Sequence, residues 1–94
     1  MNTIYDVMRS KVDNLDLSVR SSNCMKRTGI KTLEELTKID IEVLKNTKNF
    51  GVKSLEEIVG KLSALELTFN MDSKKWLDWG LAHLALVKKL DWEI

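Results

Sequence analysis

The sequence contains no proline, only one cysteine and only four glycines among its 94 residues. A single cysteine excludes an internal disulfide framework, and this favours a reducing compartment. The first ten residues include Asp6 and lack the apolar run of a secretory signal. No stretch reaches the length that spans a bilayer, so we expect no membrane association. Because no linker or low-complexity tract interrupts the chain, residues 1–94 are expected to form a single domain.

One eight-residue phrase occurs twice, as GIKTLEEL at residues 29–36 and as GVKSLEEI at residues 51–58. The glycine in each copy is expected to end the preceding helix in the left-handed conformation. The Thr or Ser that follows is expected to cap the next helix, with the Glu three residues later completing a capping box. Each new helix would then begin with free N–H groups beside a lysine. This is a favourable site for an anion such as phosphate.

Apolar spacing along the sequence is typical of helices and predicts an all-α fold, a compact bundle of short helices. Helices are expected at about residues 1–12, 18–27, 32–37, 40–46 and 52–64. In the first, one stripe holds the predicted core residues Met1, Ile4, Tyr5, Met8 and Val12. In the second, spacing separates an exposed face from a core face. The predicted exposed face holds Arg20, Asn23, Cys24 and Arg27, and the predicted core face holds Val19, Ser22 and Met25.

Charge is segregated along the sequence although the formal net charge is only +1. Residues 18–31 contain four basic side chains and no acidic one, and residues 43–54 contain three basic side chains and no acidic one. Lysines and glutamates commonly decorate solvated helix faces, which is the simplest interpretation. Both basic windows, however, coincide with turns that open helices. They therefore favour an anion-binding surface, and nucleic acid is the natural candidate.

Two strings identify a family: LDLSVRSSNCMKRTGIKTLEEL at residues 15–36 and NFGVKSLEEI at residues 49–58. With them, residues 12–72 resemble the C-terminal domain of the bacterial RNA polymerase alpha subunit. The resemblance implies a bundle with helix-hairpin-helix elements, flanked here by an N-terminal and a C-terminal helix. It also implies a cytoplasmic protein that binds AT-rich promoter DNA through the minor groove. Sigma factors, activators and RNA polymerase are the protein partners that the family suggests.

The resemblance implies DNA-binding roles for eight residues: Arg20, Asn23, Cys24, Asn49, Gly51, Lys53, Ser54 and Glu57. Arg20 would be the principal minor-groove residue, and the turn at residues 51–54 would contact phosphate. Glu57 would help to order that surface. A reactive thiol on a basic helix face is the alternative interpretation of Cys24.

Two features depart from the family pattern. Family members carry this domain at the end of a long subunit, behind a linker and a dimerising domain, whereas this chain begins at Met1. Residues 73–94 form an extra Trp-rich tail with two adjacent apolar stripes. One stripe holds Leu77, Leu81, Leu84 and Val87, and the other holds Trp76, Trp79, Leu86 and Leu90. The tail either packs on the first helix to complete the core, or offers the Trp-containing stripe to a partner or to a second copy.

Enzymatic chemistry is not indicated. His83 has no Cys or carboxylate at metal-ligand spacing, and the paired glutamates occupy helix-capping positions. We therefore expect no catalytic residue, no metal and no cofactor. Two function hypotheses remain: a DNA-binding transcription module, and a protein-interaction module that mimics the polymerase domain to engage sigma factor, an activator or RNA polymerase.

Overall fold

The computed structural model describes residues 3–47 and 50–90, and this part of the protein forms seven α-helices. They are α1 (Ile4–Arg9), α2 (Val19–Thr28), α3 (Leu33–Lys38), α4 (Ile41–Lys45), α5 (Val52–Ala64), α6 (Ser73–Ala82) and α7 (Leu84–Lys89). A 3₁₀ turn at Val12–Leu15 precedes α2. The only β-pairing within the described residues is an isolated antiparallel bridge between Lys11 and Thr32. The predicted all-α fold is confirmed.

The first copy of the repeated phrase forms the predicted turn and Thr32 cap, whereas the predicted capping box is displaced by one residue. Gly29 ends α2 with φ +80°, a conformation that residues with a Cβ resist. Thr32 then caps α3 by accepting a hydrogen bond from the Glu35 N–H at 3.2 Å. The Glu35 carboxylate returns to the N–H of Lys31 at 2.8 Å, one residue before the cap. A tight turn therefore joins α2 to α3.

The second copy folds differently, and here the sequence-based expectation was wrong. Gly51 has φ −81° and is itself the N-cap of α5, so Ser54 lies in the first helical turn instead of capping it. The reason lies in the preceding helix. Helix α2 runs up to Gly29, whereas α4 has already ended at Lys45, several residues before Gly51. No left-handed residue is needed at Gly51, and the backbone enters α5 in extended conformation.

The first helix is shorter than predicted and turns a different face inward. Val7 and Met8 are buried, whereas Tyr5 is 59% exposed, so the predicted stripe was wrong for Tyr5. Helix α1 ends at Arg9 because the next residues pair with the turn before α3. The Val12 N–H donates to the Lys31 carbonyl at 3.0 Å, and the Leu33 N–H donates to the Ser10 carbonyl at 2.9 Å. Met1, which was placed on the same stripe, lies outside the described residues.

The tail completes the core through its tryptophans, which agrees with the first of the two alternatives and corrects the assignment of Trp76 and Trp79 to a partner surface. Trp76 is fully buried, and its indole N–H donates to the Thr37 hydroxyl at 2.7 Å. Trp79 is buried as well and donates to the Leu65 carbonyl at 2.8 Å. Indole rings bury large apolar areas while their N–H finds a partner, so these two residues tie the tail to the bundle.

The remaining apolar residues of the tail are buried, half-buried against the core or exposed. The tail bends at His83, where α6 gives way to α7. Leu86 and Leu90, which were also assigned to a partner surface, are half-buried against the core. The exposed large apolar residues of the tail belong to the other stripe, at Leu77, Leu81 and Leu84, whereas its fourth member, Val87, is buried. None of the described helices combines the length and the apolar character needed to cross a membrane.

Candidate nucleic-acid interface

The first turns of α2 and α5 meet at one surface of the protein. A shallow depression of about 380 Å³ lies between them. Its lining consists of Ser18, Arg20, Ser21, Lys53, Ser54 and Glu57. Four of the eight residues assigned to DNA binding from the sequence, Arg20, Lys53, Ser54 and Glu57, are therefore brought together although more than 30 positions separate Arg20 from Lys53. We call this surface the α2–α5 face.

Glu57 joins the two helices. Its carboxylate accepts hydrogen bonds from the Ser18 N–H at 2.9 Å and from the Ser18 hydroxyl at 2.8 Å. The Ser21 hydroxyl and both Ser18 donors hold the pKa of the Glu57 carboxyl below its usual range. The carboxylate thereby occupies the start of α2, where the helix dipole favours negative charge. This contact sets the position of Arg20 relative to α5.

The cations on the α2–α5 face have no acidic partner. Neither Arg20 nor Lys53 forms an ion pair with any residue in the described ranges. Elsewhere the pairing is local, as between Lys38 and Glu34 at 3.0 Å and between Lys45 and Glu42 at 3.4 Å. Arg20 and Lys53 are both exposed and outnumber the one carboxylate of the lining, Glu57, so positive charge predominates on this face.

Within the described residues, the first turn of α5 has backbone donors without an acceptor. The N-cap residue Gly51 supplies no side-chain cap, and the N–H groups of Val52, Lys53 and Ser54 have no acceptor in the ranges that the structure describes. In α2, by contrast, Ser18 caps the Ser21 N–H at 3.3 Å and Glu57 binds the Ser18 N–H. Unpaired N–H groups and the positive end of a 13-residue helix favour an anion. Among the described residues this feature is open at the start of α5 and already occupied by Glu57 at the start of α2.

Cys24 is not on the exposed face where helical spacing placed it. It is 5% exposed, and its Sγ lies 4.0 Å from the Ser54 hydroxyl oxygen, in the contact between α2 and α5. Ser54 is buried as well, so its hydroxyl is not offered to a ligand. Asn23 is exposed, as expected, and Asn49 lies outside the described residues.

The face of α2 that packs inward was also misassigned. Val19 is 78% exposed and Ser22 is half-buried, so of the predicted core face only Met25 is buried. Ser21, which the sequence did not single out, is buried instead. The reason is that α5 packs across the side of α2 that carries Ser21 and Cys24. Local spacing carries no signal for that contact, because the residues of α5 lie about 30 positions away.

Other candidate chemistry is accounted for within the fold. The described residues contain no group of three or more His, Cys, Asp or Glu residues that could hold a metal ion. His83 contacts the Glu66 carboxylate through Nε2 and the Trp79 carbonyl through Nδ1 at 2.8 Å. The Glu66 carboxylate and the Trp79 carbonyl raise the pKa of His83. This histidine therefore links the end of α6 to the turn after α5.

The comparisons with known proteins agree on one family. Residues 2–64 match the model of the C-terminal domain of the bacterial RNA polymerase alpha chain. The DNA-directed RNA polymerase subunit alpha of Clostridium acetobutylicum is 46% identical over 68 residues, which is 72% of this protein and 22% of that one. The corresponding subunit of Treponema pallidum is also 46% identical over 68 residues, 72% of this protein and 19% of that one. The chain thus spans about a fifth of the length of the curated relatives it matches.

A solved structure matches over nearly the whole length. The NMR structure of the C-terminal domain of the RNA polymerase alpha subunit from Helicobacter pylori superposes with a TM-score of 0.65 at 28% identity. The match spans 97% of this protein and 78% of that one, so the superposition reaches well into the tail, where the sequence carries no recognisable motif. Fold and sequence agree. The protein belongs to the family formed by the C-terminal domains of bacterial RNA polymerase alpha subunits, which are DNA-binding domains of the transcription machinery.

Proposed function

We propose that this protein is a DNA-binding transcription module that docks on the minor groove of AT-rich duplex DNA through its α2–α5 face. The observation that carries the proposal is the convergence of two helix starts around Arg20 and Lys53, both exposed and without an acidic partner among the described residues. The two cations and the open start of α5 would act on one duplex together.

Arg20 is suited to the groove itself. A narrow A·T-rich minor groove has an enhanced negative potential that attracts an inserted arginine. Glu57 fixes the start of α2 through Ser18, so the guanidinium projects from a position that is set before DNA arrives. Minor-groove edges distinguish A·T from G·C only coarsely, so recognition would rest on groove shape more than on a base code.

The start of α5 is suited to the phosphate backbone. The free N–H groups at residues 52–54 would donate to phosphate oxygens, and Lys53 would add a charge. Gly51 leaves open space at this point, since a Cβ there would meet no atom within 4 Å. Contacts of this kind set the register of a protein on DNA without reading its sequence.

The test is a titration of the purified protein with AT-rich and GC-rich duplexes at several salt concentrations. We expect tighter binding to the AT-rich duplex. About three to five phosphate contacts would give a log–log salt slope of about −3 to −4.5. Arg20→Ala should weaken binding by about tenfold or more, as expected for the loss of a charge-assisted contact.

Arg9→Ala is the matched control, because it removes the same charge from α1, where Arg9 pairs with Asp6 at 3.5 Å. It should change the affinity little. If folded Arg20→Ala bound the AT-rich duplex as tightly as Arg9→Ala does, the proposed minor-groove role would be refuted.

The relatives are RNA polymerase subunits, and this supports a second proposal, that the protein engages RNA polymerase, sigma factor or an activator. Self-association through the tail also stays a prediction. Because the tryptophans are buried, its surface would be the exposed residues Leu77, Leu81 and Leu84. Sedimentation of the full-length protein would test it, and a monomer at high concentration would refute it.

A further inference from the structure

A second cleft, of about 430 Å³, opens away from the α2–α5 face. It lies between the 3₁₀ turn, the C-terminal half of α2 and the turn that leads to α3. Its floor consists of three buried apolar residues, Val12, Met25 and Ile30. Its rim consists of three exposed lysines, Lys11, Lys26 and Lys31. We call it the lysine cleft. Its size is that of an ordinary ligand-binding pocket.

The lining of the lysine cleft carries an excess of positive charge, three lysines against one carboxylate. None of its three lysines forms an ion pair within the ranges that the structure describes. The one acidic residue in the lining, Asp13, accepts a hydrogen bond from the Ser22 hydroxyl at 3.5 Å. Three like charges around one opening repel each other, and a partner of opposite charge would relieve this repulsion.

The cleft is held in place by the backbone. The isolated bridge pairs Lys11 with Thr32, and the Val12 N–H donates to the Lys31 carbonyl at 3.0 Å. Lys11 and Lys31 therefore stand on two neighbouring, mutually bonded segments. A site built on such a frame needs little ordering when a partner binds, and this favours affinity.

The lysine cleft and the α2–α5 face lie on different sides of α2. At 3.6 residues per turn, Lys26 is displaced by about 120° around the helix axis from Arg20, and Ser22 by about 160°. A duplex in contact with Arg20 would leave the cleft open. A second partner could therefore bind while DNA is bound.

We propose that the lysine cleft binds an acidic peptide segment of a protein partner, with one large apolar residue of that segment seated on its floor. Charge complementarity identifies the occupant: the three lysines would pair with carboxylates, and the apolar floor would take the anchor. A nucleic acid fits this cleft less well, since phosphates and sugars leave an apolar floor unfilled. The inference rests on the proposed protein partnership and uses no residue of the proposed DNA site.

The test uses isotope-labelled full-length protein and a short synthetic peptide rich in Asp and Glu with one central Phe. We expect the peptide to shift the methyl signals of Met25 and Ile30. The double variant Lys11→Glu with Lys31→Glu should bind the peptide about tenfold more weakly, or weaker still. A peptide of the same charge with Ser in place of Phe should also bind more weakly. The matched control is Lys74→Glu with Lys75→Glu, which makes the same charge change at exposed positions of α6.

Several results would overturn the inference. One is equal loss of peptide binding in the control pair, which would mean that only net charge matters. Others are an unchanged affinity for the peptide that lacks Phe, or a peptide that leaves the Met25 and Ile30 signals unmoved. A duplex that shifts those signals and competes with the peptide would assign the cleft to nucleic acid instead. The Arg20→Ala variant separates this proposal from the DNA-binding proposal, because it should bind DNA more weakly and bind the peptide with unchanged affinity.

Discussion

The carboxylate of Glu57 accepts hydrogen bonds from both the backbone N–H and the hydroxyl of Ser18, which lies 39 residues earlier in the sequence. Ser18 is the residue that caps α2, and Glu57 lies in the second turn of α5. The carboxylate of Glu57, on α5, thus accepts hydrogen bonds at the N-terminus of α2. The hydrogen bond also sets the spacing between the two cations of the α2–α5 face.

Glu57→Ala should lower the free energy of unfolding by about 0.5–1 kcal/mol at neutral pH, because an exposed hydrogen-bonded carboxylate contributes modestly. The folded-state pKa of Glu57 is lowered from 4.5, so its contribution is present above pH 4.5 and is lost as pH falls through the folded value. Thermal melts of wild type and variant should therefore converge once the pH falls below the lowered folded-state pKa of Glu57. Glu56→Ala, at the exposed neighbouring position, should leave the melt almost unchanged. A gap between wild type and Glu57→Ala that persists at low pH would contradict this account.

The two glycines of the repeated phrase should respond differently to alanine. Gly29 has φ +80°, so Gly29→Ala should cost about 1–2 kcal/mol. Gly51 has φ −81° and open space around its Cα, so Gly51→Ala should stay within about 0.5 kcal/mol of wild type. Chemical denaturation of both variants measures this difference. Equal losses of stability would mean that Gly51 also needs the left-handed conformation.

Two helical glycines form a second contrasting pair. A Cβ at Gly80 would clash with the side chain of Ile4, whereas a Cβ at Gly60 would meet nothing within 4 Å. Gly60→Ala should therefore stabilise by about 0.5–1 kcal/mol through helix propensity. Gly80→Ala should destabilise, because overpacking costs about 1–3 kcal/mol and outweighs that gain. Ile4→Ala should reduce the cost of Gly80→Ala in a double-mutant cycle, and additive effects would rule out the contact.

His83 should make the packing of the tail depend on pH. Its pKa is raised above 6.5 by Glu66 and by the Trp79 carbonyl, so its contribution is present below pH 6.5 and is lost as pH rises through the folded value. As the only histidine in the sequence, it can be titrated by NMR without ambiguity. Glu66→Gln should bring the pKa of His83 back towards 6.5. An unchanged titration curve would mean that the two residues do not interact in solution.

The elements that could be predicted from the sequence are those with local causes. The helix bounds at residues 52–64 and the left-handed end of α2 at Gly29 follow from spacing and from a single backbone preference. The burial of Cys24 and the exposure of Val19 do not, because they depend on which side of α2 receives α5. Gly51 shows the limit of the motif itself. The same eight-residue pattern starts its helix at a different position when the preceding helix has already ended.

The grouping of Arg20, Lys53 and Glu57 could be inferred only through the family resemblance, since no periodicity relates residues so far apart. The lysine cleft could not be predicted from the sequence for the same reason. It depends on a backbone bridge between Lys11 and Thr32, and the pattern of apolar residues in the sequence does not predict this bridge. Packing between distant segments determined the burial pattern of α2, where the sequence-based expectation was wrong.

The burial of Trp76 and Trp79 gives the protein an internal optical reporter. Their rings stand edge to face at 5.3 Å, and each indole N–H is hydrogen-bonded inside the fold. Trp79 bonds to Leu65, the residue directly after α5, about 20 Å along the helix from its N-terminus. In a Trp92→Phe variant, which leaves Trp76 and Trp79 as the only tryptophans in the sequence, fluorescence should shift to the red on unfolding and remain steady while a duplex binds at the α2–α5 face. Intrinsic fluorescence could therefore distinguish unfolding of the protein from binding of DNA in one sample, without an added dye.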